Sequence, residues 1–320
     1  MTTQAHIGID LGGTHLRAAL VSMTGEVLYR HSRTSSRQLS ITTLIDTLQE
    51  LVGLLVAQAA DAELQLGGVG VGVPALLDHR GVIVTAPNIP GLNGADLGTR
   101  LAEVVGLPVS VCNDADAAAL GEARFGAGAD LTSFLMLTLG TGVGGALILS
   151  GNLWRGCDGV AGEVGHVTVE PFGRKCGCGS HGCLEQYASA TGIVLTAREL
   201  LAQEASSLLN QIDAHGLTSA AVAEAAIQGD NVACAAYAEA GRKLGQMLGG
   251  VAVNLLNLEG VVVGGGVAPS LDLMRPSLER ELYRRAFDVA AHRFKIRLAQ
   301  LGDDAGLVGA AHYAGGDDDG

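Results

Sequence analysis

Two stretches of this chain share one local grammar, and the repetition constrains the fold more than any other feature. IGIDLGGTHLRAALVSMTG, from Ile7, and FLMLTLGTGVGGALILSGNL, from Phe134, each read as an apolar strand, a turn bearing Gly and Thr, and a second apolar strand. Apolar runs bounded by glycine in this way are buried strands joined by a hairpin. Two copies so far apart are no short-period solenoid; they predict one lobe type used twice. A length of 320 residues, above the usual size of a single core, agrees with two lobes.

Between and after the copies, strands and helices alternate. Strands are expected at 6–10, 16–23 and 26–31, with turns at Gly12-Gly13 and Thr24-Gly25, then a helix at 41–60. A strand at 67–73 ends at Pro74, a helix covers 97–105 and a strand 108–112. The segment 155–186 is rich in Gly and Cys and lacks periodicity, whereas helices dominate 191–258. A strand at 260–263 runs into Gly264-Gly265-Gly266, a helix spans 305–313, and GGDDDG reads as a frayed tail. The class is α/β, a mixed sheet covered by helices.

Composition removes several functions. Glycine supplies 47 residues, but no Gly-X-Y period occurs and 48% of residues are apolar, which excludes collagen and disorder. Aromatics are only 3%, so the cores are aliphatic and tightly packed. Twenty basic against 33 acidic residues give a net charge of -13, with Lys175, Lys243 and Lys295 the only lysines. Such a surface repels phosphate backbones and anionic membranes, so neither nucleic acid nor membrane is expected as a partner. No apolar run reaches the ~18 residues of a membrane span and no basic n-region opens the chain, so the expected location is cytoplasmic. Six cysteines in a reducing compartment need a reason other than disulfides.

Six constellations carry chemistry. Asp10-Leu11-Gly12-Gly13-Thr14 can aim peptide N–H groups and a hydroxyl at a phosphate, with Asp10 orienting Mg²⁺ through water; alone, an ordinary β-turn serves equally well. Gly140-Thr141-Gly142 is its counterpart, and two such hairpins can clamp a triphosphate. Gly265 and Gly266 follow an apolar strand and suit an adenine-ribose contact or a helix start. No Walker motif is present, and the first strand turn lacks a dinucleotide fingerprint. His166 with Cys176, Cys178 and Cys183 supplies the Cys₃His set of a closed, structural zinc site, with Arg174 and Lys175 adjoining to offset thiolate charge. Cys112, Cys157 and Cys234 are isolated and read as core fillers. In Cys112-Asn113-Asp114-Ala115-Asp116, Asp114 is the candidate base, Asn113 a hydroxyl ligand and Asp116 a helix cap. Glu163, His166 and Glu185 can bind neighbouring hydroxyls of a sugar.

Together these residues resemble the ROK family of bacterial sugar kinases and related repressors. LTLGTGVGGALILSGNLWRGCDGVAGEVGH is similar to the family signature, and CGCGSHGCLE matches its C-x-C-G-x-x-G-C-x-E segment at every fixed position. The resemblance implies a two-lobed actin- or hexokinase-like (ribonuclease H-like) fold with a central cleft. The expected lobes are 1–114 plus 303–320, small, and 115–302, large, with the zinc segment. It further implies an ATP-dependent hexose kinase acting on the 6-hydroxyl of glucose or a close analogue, with Asp114 as base. Asn88, Asn113, Glu163, His166 and Glu185 would bind the other hydroxyls, and a homodimer is common among relatives. An N-acetylglucosamine or N-acetylmannosamine kinase, or a sugar-sensing regulator without kinase activity, is the alternative. Two positions depart from the pattern: His15 stands where many relatives have lysine, leaving Arg17 on the same strand face as the replacement, and Pro74-Ala75 replaces Pro-Gly.

Overall fold

A computed structural model describes residues 4–13, 15–35, 40–204, 206–213 and 216–316; Thr14 and the tail residues 317–320 lie outside it. The opening hairpins are β1 (Gln4–Leu11), β2 (His15–Ser22) and β3 (Val27–Thr34), followed by helix α1 (Ile41–Asp61) and strand β4 (Gln65–Val73). Two short strands, β5 (Leu76–Leu77) and β6 (Ile83–Thr85), precede α2 (Leu97–Val105), β7 (Val109–Asn113) and α3 (Asp114–Phe125). The second copy gives β8 (Phe134–Leu139), β9 (Val143–Leu149) and β10 (Asn152–Trp154). Helices α4 (Glu185–Ala188), α5 (Ala190–Leu201), α6 (Ser219–Ile227) and α7 (Asn231–Met247) follow, then β11 (Gly260–Gly264). The chain ends with α8 (Leu271–Arg285), α9 (Asp288–Ala291), β12 (Lys295–Leu298) and α10 (Ala305–Tyr313).

The repeated grammar becomes a repeated topology. The first sheet has the order β3-β2-β1-β4-β7 and the second β10-β9-β8-β11-β12. In the first, β1–β2 and β2–β3 are antiparallel while β1–β4 and β4–β7 are parallel. In the second, β9–β10 are antiparallel while β8–β11 and β11–β12 are parallel. The sequence reading assigns no element between the triple glycine and 305, where α8, α9 and β12 lie. Pro276 inside α8 breaks the helical signal there, and β12 has only four residues.

Two compact units result. One comprises Met1–Thr132, Ala146–Ala161 and Ala299–Gly320, the other Ser133–Gly145 and Gly162–Leu298. The sequence scheme ends its first lobe at Asp114, whereas packing carries the first unit through α3, because α3 and α10 meet main chain to main chain. A Cβ on Gly309 of α10 would stand 1.7 Å from Ala117 O of α3. The sheet side of α10 is as close: Cβ atoms on Gly8 and Gly70 would stand 1.9 Å from Leu307 O and 1.7 Å from Ala310 O. In the other unit, Gly241, Gly245 and Gly249 recur every fourth residue and face the carbonyls of Met274, Leu278 and Leu282 on α8. Only glycine permits such approaches.

Helix α1 starts at Ser40, whose hydroxyl accepts from Thr43 N at 3.1 Å. Its 21 residues are long and apolar enough, by length and composition, to cross a membrane, contrary to the expectation that no such run exists. Leu44, Leu48, Leu51 and Leu55 form a fully buried spine in the core of the first unit, with Ile7, Ile9, Val69 and Val71. That is the packing of a core helix.

The two kinds of helical glycine predict opposite outcomes. Gly309→Ala forces main chain apart and should lower unfolding free energy by about 3 kcal/mol. Gly53, in α1, has nothing within 4 Å of its Cβ position, so Gly53→Ala should raise it by about 0.5–1 kcal/mol. Urea unfolding of both variants checks the pair.

Candidate functional site

In the first unit, register brings the candidate phosphate and base residues to one sheet end. Asp10 pairs with Gly72 across β1–β4, and Gly72 and Val73 pair with Cys112 and Asn113 across β4–β7. Asp10 and Asn113-Asp114 thus leave the carboxyl ends of parallel strands, where ligands of open α/β sheets bind. Asp10 faces Arg17 across the hairpin, and Arg17 Nη2 donates to Asp10 Oδ2 at 2.5 Å. The guanidinium expected to replace the family lysine is therefore held by Asp10, while His15 is exposed. Gly306, opening α10, packs against the Asp10 carboxylate, where a Cβ would be 3.3 Å from Cγ. Gly12 N donates to His15 O at 2.8 Å and closes the turn; Gly13 has open space around its Cβ position.

Asp114 is exposed at the first position of α3. The cap is Asn113, not Asp116 as expected. Its Oδ1 accepts from Ala115 N at 2.8 Å and Asp116 N at 3.4 Å, while Asp116 is buried. Asn113 Nδ2 donates to Ala75 O at 3.1 Å, so both ends of this amide are engaged in holding Asp114 in place, at the position where the family pattern is broken. Asn88 is exposed on the turn 86–89. The sequence reading missed Asn93, whose Oδ1 accepts from Ala86 N at 2.7 Å and shapes that loop. An Asn beside a Gly offers only a generic turn signal.

In the second unit, Gly140 N donates to Gly142 O at 3.0 Å, closing the turn that carries exposed Thr141. Gly265, with φ +85°, sits where a Cβ would be 2.6 Å from Leu139 O, so the triple glycine lies at the end of the neighbouring strand. Gly140 and Gly266 have open space where a side chain would be. The peptide edge there is accessible to a ligand. Glu185 reaches the same hairpin: its Oε2 accepts from Val143 N at 3.2 Å, and a Cβ on Gly142 would collide with it.

The metal candidates converge. Ligand atoms of His166, Cys176, Cys178 and Cys183 all lie within 4.8 Å of one another. Zn–S bonds of about 2.3 Å and a Zn–N bond of about 2.0–2.1 Å place tetrahedral S···S and S···N edges near about 3.8 and about 3.6 Å. Cys178 Sγ to Cys183 Sγ is 3.7 Å and Cys176 Sγ to His166 Nδ1 is 3.6 Å, so the set fits a tetrahedral ion. Burial, and then the neighbouring thiols, push the Cys183 thiol up to about 12, whereas a peptide hydrogen bond around Ser180 lowers that of Cys178. The other ring nitrogen of His166, Nε2, is 3.9 Å from Glu163 Oε2. Desolvation raises the Glu163 carboxyl, with His166 opposing and Glu185 adding to the rise. Glu185 Oε1 lies 3.8 Å from Cys176 Sγ, so this carboxylate spans the metal cluster and the Gly140 hairpin.

Two expectations change here. Arg174 is committed away from the thiols: Nη2 donates to Glu199 at 2.6 Å and the guanidinium stacks 4.7 Å over Tyr187. Of the isolated cysteines, Cys112 is buried in the core, but Cys157 and Cys234 are exposed.

The ROK family pattern matches residues 6–316, and the chain belongs to the ROK family. It is 36% identical over 313 residues to the glucokinase of Halalkalibacterium halodurans, covering 97% of this chain and 94% of that one. It is 32% identical to the N-acetylmannosamine kinase of Escherichia fergusonii over 99% of both chains. The crystal structure of a ROK glucokinase from Streptomyces griseus, in complex with glucose and AMPPNP, is 36% identical and superposes with a TM-score of 0.79, covering 97% and 98% of the two chains. The fold is accordingly the α/β actin- and hexokinase-like type of the ROK sugar kinases.

Because Asn113 is a cap, Asn113→Ala should lower stability by about 1 kcal/mol and turnover with it, while Asn113→Asp, which keeps the accepting oxygen, should recover most of the stability. Thermal and urea unfolding of the two variants, set beside their turnover, check this.

Proposed function

We propose that this chain is an ATP-dependent hexose kinase that phosphorylates the 6-hydroxyl of glucose or a close analogue. The observation that carries the reading is the placement of Asp10 and Asp114 at the carboxyl ends of β1 and β7, the two parallel strands that flank β4, within a chain this similar to glucokinases. Phosphoryl transfer is mainly positioning and charge stabilisation, and asks for little covalent chemistry from the protein. Asp114 would accept the hydroxyl proton late in a loose transition state, which a well-placed carboxylate can do. The Asn113 cap fixes its carboxylate at the first turn of α3. Asn88, Asn113 through the second hydrogen of its amide, Glu163, His166 and Glu185 would orient the sugar.

Peptide groups of Gly12, Gly13, Gly140, Gly142, Gly265 and Gly266, with the Thr14 and Thr141 hydroxyls, would hold the nucleotide. Asp10, braced by Arg17, would orient nucleotide-bound Mg²⁺ through water. Backbone donors do not add net charge, which reconciles nucleotide binding with so acidic a chain. His166, Cys176, Cys178 and Cys183 would hold a structural zinc; four protein ligands leave no open position, so the ion would stiffen the wall bearing Glu163 and Glu185. Relatedness to an N-acetylmannosamine kinase supports a second reading, with a 2-acetamido sugar as acceptor.

Asp114→Asn should keep sugar and ATP binding and reduce turnover by about 10²–10⁴-fold; near-normal turnover in that variant would exclude Asp114 as the base. A coupled ADP-release assay across glucose, mannose, fructose and the N-acetylhexosamines should show turnover with glucose foremost, and inactivity on all of them overturns the kinase reading. Metal analysis should find one zinc per chain in the wild type and a clear loss in Cys176→Ser.

A further inference from the structure

The first unit holds a cavity of about 260 Å³ that none of the candidate sugar, nucleotide or metal residues lines. It lies toward the start of β7, whose carboxyl end leads into Asp114, and toward the end of α10, whose first turn packs against Asp10. Ser110, in its wall, precedes Asp114 by four residues along β7, about 13 Å of extended chain. Tyr313, also in the wall, is seven residues from Gly306 along α10, about 10 Å of helix.

The chemistry of the wall is cationic and hydroxylated. Arg155 stacks its guanidinium 5.8 Å from the centre of the Tyr313 ring, and among the described residues that guanidinium makes no hydrogen bond or ion pair. Arg80 is a second guanidinium, steered by Asp78, which accepts from Arg80 Nη2 at 2.9 Å and from Arg80 N at 2.9 Å. His79, Thr99 and Ser110 add further polar groups. The one carboxylate among the described residues of the wall, Asp96, is spent on capping α2 through Thr99 N at 3.0 Å. β7 is also the edge of its sheet, so one row of its peptide groups faces no further strand.

Planar guanidinium groups match the oxygens of phosphate, and an unpaired arginine beside hydroxyls favours an anion that also carries hydroxyls. The volume falls just below the roughly 300–1,000 Å³ usual for ligand pockets, too small for a nucleotide triphosphate and suited to a compact metabolite. We propose that this cavity is a second ligand site, separate from the kinase centre, for a small phosphate monoester of sugar size. Arg155 is its principal phosphate ligand.

Titration calorimetry of the full chain with a hexose 6-phosphate, with free hexose and with inorganic phosphate tests this. Wild type should bind the ester saturably. Arg155→Met should weaken that binding at least tenfold while leaving free-hexose binding, melting temperature and basal turnover unchanged. Thr99→Met, on the exposed first turn of α2, fills the cavity with its charge intact and should give the same loss, so a folding defect in one variant does not stand in for the result. Tighter Arg155-dependent binding of the ester than of inorganic phosphate supports a sugar phosphate as occupant; the reverse order retains the phosphate site and makes free phosphate its ligand. Equal affinity of wild type and both variants for both phosphates overturns the proposal, whatever the outcome of the sugar panel.

Discussion

The architecture of the first unit depends on main chain meeting main chain. Helix α10 lies on β1, β4 and α3 through Gly8, Gly70 and Gly309, at separations where any Cβ would fall inside a carbonyl group. With so few aromatic residues to fill space, contacts of this kind give the core its density. The same contact sets the site, because docking α10 places Gly306 against the Asp10 carboxylate. Glu122 secures the approach to that helix. Fully buried, it accepts from Ala127 N at 2.7 Å, Gln300 N at 3.1 Å and Leu301 N at 2.8 Å, so one carboxylate ties α3 to the segment entering α10.

The second unit solves a different problem, that of holding an irregular loop still. Residues 162–186 have no periodic apolar face to bury, so charged and metal-ligating groups do the fastening. Lys243, fully buried on α7, donates to Glu170 and lies 4.8 Å from the centre of the Tyr187 ring. The hydrogen bond from Lys243 lowers the Glu170 carboxyl. Arg174 pins the other side through Glu199 and the backbone of Gln186 and Gly192. Glu163, His166 and Glu185 are thereby presented on a braced frame, with the Cys₃His cluster at its centre.

How legible this was in the sequence differs by scale. The boundaries of the 97–105 and 305–313 helices were readable to the residue, since each has clear amphipathic or apolar spacing and a marked end, such as Gly106 at φ +70° after α2. The metal residues were readable because thiol spacing within one loop is a local property. The route of Arg174 and the cap at Asn113 were not. Both turn on which partner comes within reach, as the Ala75 carbonyl does for the Asn113 amide.

By itself, the sequence determined the repeated hairpin grammar, the aliphatic cores, the Cys₃His set and the family. Each follows from residue type and spacing along one strand or loop. The tertiary structure alone decided that Arg17 braces Asp10, that Glu185 joins the metal cluster to the Gly140 hairpin, and that many of the glycines serve helix contact rather than ligand approach. The physical reason is common to all three. A hydrogen bond or a missing Cβ acquires its role from an atom distant in sequence, and only the packed chain brings that atom within a few ångströms.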